Sequence, residues 1–149
     1  MPADLEPLAK LRTALWPSSS DQEHARELAA ILAGDLPGPM PLVIFVAESS
    51  GAEIVGFLEA TLRSHADGCD PSIPVGYVEG WYVVPGHRRR GIGAKLLATA
   101  EDWARRLGCA EMASDTWIDN EVSQCAHEAL GFEVVDRCVH YRKALNGPK

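Results

Sequence analysis

Residues 75–107, VGYVEGWYVVPGHRRRGIGAKLLATAEDWARRL, constrain the fold more than any other stretch of the chain. The run opens as a strand, with β-branched and aromatic residues from Val75 to Val84, and Pro85-Gly86 stops it. A basic turn with two glycines follows, His87 to Gly93. A helix to Leu107 comes next, with Ile92, Leu96, Ala100, Trp103 and Leu107 at the spacing of one face, and Gly108 ends it. A strand that passes through a glycine turn into a helix aims several backbone N–H groups at one point. Together with the helix N-terminus, these suit a phosphate or pyrophosphate. Gly91 and Gly93 allow a ligand close to the backbone, and the arginines add charge. No Gly-Lys-Ser/Thr ends the turn, so it is not a Walker A loop. Two glycines fall short of the dinucleotide-binding fingerprint.

The chain of 149 residues suits one domain, residues 1–149, with one sizeable core. No apolar run approaches the ~18 residues of a membrane helix, and the N-terminus lacks a signal-peptide core. The expectation is a cytoplasmic protein without a membrane partner. A net charge of −7 argues against nucleic acid and is compatible with a polycationic partner, or simply with solubility. Cys69, Cys109, Cys125 and Cys138 show no CxxC spacing, which favours buried free thiols over a metal or disulfide role.

Elsewhere, Leu5, Leu8, Leu11 and Leu15 predict a first helix ended by Trp16-Pro17. Ser20-Asp21-Gln22-Glu23 predicts a capping box on a second helix with Leu28, Ile31 and Leu32 buried. DLPGPMP (35–41) is a connector. Strands 42–48 and 53–63 form a hairpin around Ser49-Ser50-Gly51, followed by a long loop, 64–74. Beyond the central unit come a strand at 110–114 and a helix at 120–130 with Val122, Ala126, Ala129 and Leu130 inward. Final strands are expected at 132–136 and 138–144. The order predicts an α/β (α+β) fold in which strands 75–84 and 110–114 run parallel through a crossover helix.

Arg88-Arg89-Arg90-Gly91-Ile92-Gly93 also fits the pattern Arg/Gln-x-x-Gly-x-Gly/Ala after a Val-Pro strand end. It resembles the acetyl-CoA motif of the GNAT superfamily of N-acyltransferases. That resemblance implies a single-domain GNAT fold, with a mixed, mostly antiparallel central sheet flanked by helices. The family's first edge strand is expected to be absent or vestigial, because only Met1–Asp4 precede Leu5. It also implies that acetyl-CoA lies along the backbone of Trp81, Tyr82 and Val83. Its pyrophosphate would sit on the amides of Arg88, Arg89, Arg90, Gly91, Ile92, Gly93 and Ala94. The side chains of Arg89 and Arg90 either join in or face solvent. Asn120 matches a family asparagine that bonds the pantetheine, and equally suits a helix N-cap.

Further patches resemble one branch of that family, the aminoglycoside 6′-N-acetyltransferases. They are Leu15-Trp16-Pro17, Gly68-Cys69-Asp70, Val78-Glu79-Gly80, Met112-Ala113-Ser114-Asp115, Asn120, Ser123-Gln124, His127, Ala129-Leu130-Gly131-Phe132, Arg137 and Tyr141-Arg142-Lys143. The resemblance implies transfer of acetyl from acetyl-CoA to the 6′-amine of an aminoglycoside, by direct attack in a ternary complex. An aliphatic amine must lose a proton before it attacks, so carboxylates are wanted. Glu79 and Asp115 match the branch's acidic substrate residues, as does Asp136. Their plainer readings are a solvated strand position, a loop cap and a turn aspartate. Trp16 matches a tryptophan of the sugar pocket, or closes the core at a helix end. His127 stands where many GNAT enzymes carry a general-acid tyrosine, or is a helix histidine without catalytic duty. A backbone N–H near Val83 is the candidate oxyanion donor. Ser19 and His65-Ala66 depart from the branch, which carries histidine and tyrosine there. Relatives commonly form homodimers, and one is expected. The alternatives are a GNAT enzyme for a polyamine, amino acid or protein amine, and a non-catalytic acyl-CoA sensor.

Overall fold

The structure is a computed structural model and describes residues 4–34 and 41–146. It falls into two compact units, Met1–Asp115 and Thr116–Lys149. Most of the proline-rich connector lies outside the described residues, as do residues 1–3 ahead of Asp4. Among the described residues no strand precedes the first helix.

The first unit is a four-stranded sheet with three helices. Helix α1, Leu5–Leu15, buries Leu8, Ala9 and Arg12. Helix α2, Asp21–Leu32, starts with the expected capping box: Ser20 Oγ accepts from Glu23 N at 3.1 Å, and Glu23 Oε1 accepts from Ser20 N at 3.0 Å. Hydrogen bonding to the Ser20 backbone, and then to its side chain, holds the Glu23 carboxyl below its usual range. Leu28 is buried as expected, but Leu32, in the last turn, is 54% exposed. The buried polar residue of α2 is His24, whose Nε2 lies 3.1 Å from Trp16 O. Leu8, Ala9, Leu28 and Phe57 form the core between the two helices and the sheet.

Strands β1, Leu42–Glu48, and β2, Ile54–Arg63, form the predicted hairpin. Strand β3, Val75–Val83, is antiparallel to β2, and β4, Met112–Ser114, is parallel to β3. The spatial order is β1-β2-β3-β4. Helix α3, Ile92–Arg106, buries Leu96, Leu97, Ala100 and Ala104. Trp103 is only partly buried and Leu107 is exposed, so the buried face is rotated from the expected one. Gly76 is where helix and sheet meet closely. A Cβ there would stand 2.9 Å from Ala104 Cβ and closer still to Met112 Sδ.

Two features of β3 shape the site. Its ladder with β2 runs from Val75 to Val83, opposite Arg63 to Gly56, but the register slips at Glu59/Ala60: Glu59 faces Gly80 and Ala60 faces Val78. Glu79 is therefore the extra residue of a β-bulge, which kinks a strand and re-aims its side chains. On its other edge β3 pairs with β4 only from Gly76 to Val78. The β3–β4 ladder thus stops at Val78, before the last five residues of β3.

The second unit holds helix α4, Glu121–Ala129. None of its residues is buried, and Val122, expected inward, is 74% exposed. The expected final strands are corrected as well: the segments at 132–136 and 138–144 form no ladder. Val134, Val135 and Val139 have strand-forming side chains, but a strand also needs a neighbour to receive its hydrogen bonds, and they are exposed.

Candidate active site

The anion-binding corner follows the central strand. Pro85–His87 make one 3₁₀ turn, and Arg89 (φ +64°) and Gly91 (φ +79°) adopt left-handed backbone. Such angles strain most side chains and are free for glycine. Gly91 is the N-cap of α3 and has no side chain to take the first-turn amides. The N–H groups of Ile92, Gly93 and Ala94 precede the first possible intrahelical acceptor, and the helix's own series begins with Lys95 N to Gly91 O at 3.0 Å. No acidic residue lies in that turn to compete for an anion. A Cβ on Gly93 would stand 3.4 Å from Trp81 Nε1, so this glycine also seats α3 beside β3.

The three arginines are not equivalent. Arg88 turns back: its Nε donates to Val83 O at 2.7 Å, and its guanidinium lies 5.3 Å from the Tyr82 ring. It closes the last carbonyl of β3 and braces the turn. Arg89 and Arg90 are exposed.

Of the carboxylates, Glu79 sits in the bulge of β3 and Asp115 lies just past the end of β4. Glu79 accepts four hydrogen bonds: from Thr61 Oγ1 (2.7 Å) and Arg63 Nε (3.0 Å) on Oε2, and from Arg63 Nη2 on Oε1 and Oε2 (both 2.8 Å). The Arg63 guanidinium stacks on the Tyr77 ring, 3.4 Å from its centroid. Tyr77 Oη in turn donates to Asp115 Oδ2 at 2.9 Å. The structure therefore joins Glu79 and Asp115 through Arg63 and Tyr77. Burial, and then the bond to Asp115, hold the Tyr77 hydroxyl well above the usual tyrosine range, so it stays a neutral donor. Asp115 has no cation within ion-pair distance among the described residues and lies exposed at the C-terminal end of β4. Open α/β sheets place their sites beyond such strand ends.

Trp16 lies against this strand. A Cβ on Gly80 would stand 2.5 Å from Trp16 Cη2, so the indole lies flush on the backbone next to Glu79. It also meets Phe57 edge-on and stacks near His24, with ring centroids 6.2 and 6.3 Å apart. Trp16 thus packs on the core and is half-exposed next to Glu79. Beneath it, Arg12 and Glu59 form a buried ion pair, Nε to Oε1 at 2.7 Å, with an angle outside hydrogen-bond geometry. Arg12 also reaches Glu27 at 3.2 Å and lies 5.1 Å from the Trp16 ring centroid. Burial pushes the Glu59 carboxyl up to about 7, against the pull of Arg12.

The remaining expected residues belong to the second unit. Asn120 is the N-cap of α4, with its side chain accepting from Ser123 N at 3.1 Å. His127 Nδ1 lies 2.7 Å from Ser123 O, and a carbonyl can only accept, so Nδ1 carries the proton. Neutral His127 therefore presents Nε2 as an acceptor. Donation from Nε2 requires the imidazolium. Asp136 accepts from Arg137 N at 2.8 Å and is exposed.

Arg63, Thr61, Tyr77, Arg12 and Glu59 are the residues that sequence reasoning missed. Glu59 carried a readable signal: like Glu79, it interrupts an otherwise apolar strand.

A central strand with a short parallel neighbour, a glycine-capped helix beyond its end and a carboxylate just past that neighbour fit an acyltransferase scaffold. Residues 5–132 match the acetyltransferase (GNAT) family, and the chain belongs to that family. It is 44% identical to the aminoglycoside N(6′)-acetyltransferase type 1 of Klebsiella aerogenes, over 91% of this chain and 87% of that protein. It is 42% identical to the enzyme of the same name from Serratia marcescens, over 95% and 94%. Among solved structures, AAC(6′)-Iy in complex with the bisubstrate analogue CoA-S-monomethyl-acetylneamine superposes with a TM-score of 0.82. It is 39% identical, covering 95% of this chain and 92% of that one. The apo aminoglycoside 6′-N-acetyltransferase AAC(6′)-Ig of Acinetobacter haemolyticus gives 0.83 at 35% identity, covering 97% and 94%.

Proposed function

We propose that this protein is an acetyl-CoA-dependent N-acetyltransferase acting on the 6′-amine of aminoglycoside antibiotics, and that it confers resistance by removing one of their cations. The observation that carries the reading is the edge of β3 beyond its short ladder with β4, bounded by the glycine-capped helix at one end and the carboxylates at the other. The pantetheine arm adds to that edge as an extended chain adds to a sheet. Main chain at Trp81, Tyr82 and Val83 receives it, through amide groups, because Arg88 takes the Val83 carbonyl. The amides from Arg88 to Ala94 receive the pyrophosphate. Asn120 caps its helix and adds a contact to the pantetheine.

The acceptor approaches as a cation, drawn to Asp115, Glu79 and Asp136, with Trp16 as a wall of the sugar pocket. Asp115 accepts from the Tyr77 hydroxyl and is not paired with a cation among the described residues. It takes the ammonium proton, directly or through water. The neutral amine then attacks the thioester carbonyl, a backbone N–H near Val83 stabilises the oxyanion, and coenzyme A leaves as its thiol. His127 Nδ1 is turned to Ser123 O, so solvent is the simpler proton source for the thiolate. Burial pushes the Cys69 and Cys109 thiols up, away from thiolate, which favours direct attack over a cysteinyl intermediate.

Both units belong to one acetyltransferase domain in this reading, since the family match crosses Asp115. The enzyme works in the cytoplasm, where acetyl-CoA is made. In this reading it forms a homodimer, as the family resemblance implies. Release of free thiol from acetyl-CoA with kanamycin or tobramycin tests the reading. Turnover with polyamines or amino acids but no aminoglycoside would replace it with the broader amine acetyltransferase. Coenzyme binding without turnover on any amine would make the protein a sensor.

A further inference from the structure

We propose that Arg63 is a built-in competitor for the substrate's ammonium. It occupies Glu79 in the resting site and reserves that carboxylate for acceptors carrying several positive charges. The inference rests on the acetyltransferase reading above and goes beyond it, to what sets acceptor range.

A carboxylate offers about four lone-pair directions. Glu79 receives four hydrogen bonds, three from one guanidinium and one from Thr61 Oγ1. Three of the four fall on Oε2 and one on Oε1, so the Arg63 guanidinium holds both oxygens and an incoming ammonium must compete with it. Thr61 is fixed on β2 and half-buried, whereas the Arg63 side chain is 43% exposed. Arg63 is the donor that can move. It has a second foothold in the Tyr77 ring, itself only 7% exposed. Stacking of this kind holds a guanidinium without its carboxylate.

The charges follow the same division. At the strand ends, Glu79 and Arg63 cancel, and Asp115 stands as the uncompensated charge. A monoamine satisfied by Asp115 gains little from Glu79, because a single ammonium cannot match a forked guanidinium pair. A polycation places one ammonium on Asp115 and a second in competition with Arg63, now effectively tethered beside it. Arg63 therefore taxes every acceptor for the use of Glu79, and monoamines most heavily. Because the pair is part-exposed, the effect is of modest size, roughly three- to tenfold.

The experiment compares wild type, Arg63→Met and Arg63→Lys on neamine and on the monoamine 6-amino-6-deoxyglucose. KM and kcat are measured for each acceptor and KM for acetyl-CoA, after thermal melts establish folding. Arg63→Met keeps an apolar stem over Tyr77 and frees Glu79. Its kcat/KM for the monoamine should rise roughly three- to tenfold through KM, narrowing the preference for neamine, with KM for acetyl-CoA unchanged. Arg63→Lys, a point charge without the fork, should fall between. An equal rise in KM for both acceptors would make Arg63 merely the residue that holds Glu79 in place, and would overturn the proposal. So would an unchanged ratio. If Arg63→Met does not fold, the ratio in Arg63→Lys decides by the same criterion. If wild type acetylates neither acceptor, the aminoglycoside reading itself fails and this inference falls with it, an outcome visible before any variant is made.

Discussion

Replacing Gly80 by alanine tests the packing that places Trp16 beside the site. The new Cβ would lie 2.5 Å from Trp16 Cη2, 2.6 Å from Cζ2 and 3.3 Å from Leu15 Cδ2. Carbon atoms in ordinary contact are about 3.5–4.0 Å apart, so the indole must retreat by about 1 Å. It has little room, because Phe57, His24 and the Arg12 guanidinium already pack around it. Overpacking of this kind costs about 1–3 kcal/mol. At roughly 2–4 °C per kcal/mol for a chain of this size, the melting midpoint should fall by roughly 3–10 °C. Urea unfolding followed by circular dichroism measures the loss. The double variant Gly80→Ala/Trp16→Leu should be more stable than the sum of its single variants by at least about 1 kcal/mol, since the smaller side chain removes the clash. A displaced Trp16 should also raise the acceptor's KM and leave that of acetyl-CoA unchanged. Strict additivity, or a Gly80→Ala protein within about 0.5 kcal/mol of wild type, would refute the reasoning.

Three other outcomes are expected. Asp115→Asn should cut kcat/KM for the acceptor by roughly 10²–10⁴-fold, the usual share of a general base, with acetyl-CoA affinity intact by calorimetry; equal loss of both would contradict its assignment. Glu59 is an acid whose folded-state value is raised, from 4.5 to about 7, so its favourable contribution is complete below about 4.5 and is lost as pH rises through about 7. The stability difference between wild type and Glu59→Gln should therefore move by about 3 kcal/mol in favour of the glutamine protein between pH 4.5 and 8, and a flat difference would be inconsistent with the buried carboxyl. His127→Ala should retain turnover within about threefold of wild type. A larger fall in kcat with a lost alkaline or acidic limb in the pH profile would restore a catalytic duty.

What could be read from sequence was what short-range chemistry decides. The Ser20/Glu23 box, the end of α1 at Trp16-Pro17 and the strand–turn–helix from Val75 are set by neighbours within a few residues. Glu79 was visible as an acid in an apolar strand. Its occupant, Arg63, was not: the two are 16 residues apart and meet only through the β2–β3 register and the bulge that slips it. Tyr77 is buried in its strand, and its hydroxyl reaches Asp115 because β4 lies parallel beside it. The final strands misled for the opposite reason. Val134, Val135 and Val139 have the side chains of strands, and a ladder depends on a partner that local pattern cannot supply.

The central claim is that this site acetylates one particular amine of an aminoglycoside. The direct measurement is a paired reaction with acetyl-CoA and two antibiotics that differ only in carrying an amine or a hydroxyl at the 6′ position, neomycin B and paromomycin. Product mass and the position of the new acetyl group are determined for each. The account predicts a single acetyl on the 6′-nitrogen of neomycin and little or no product from paromomycin. Equal acetylation of both, or an acetyl on any other nitrogen of neomycin, would contradict it.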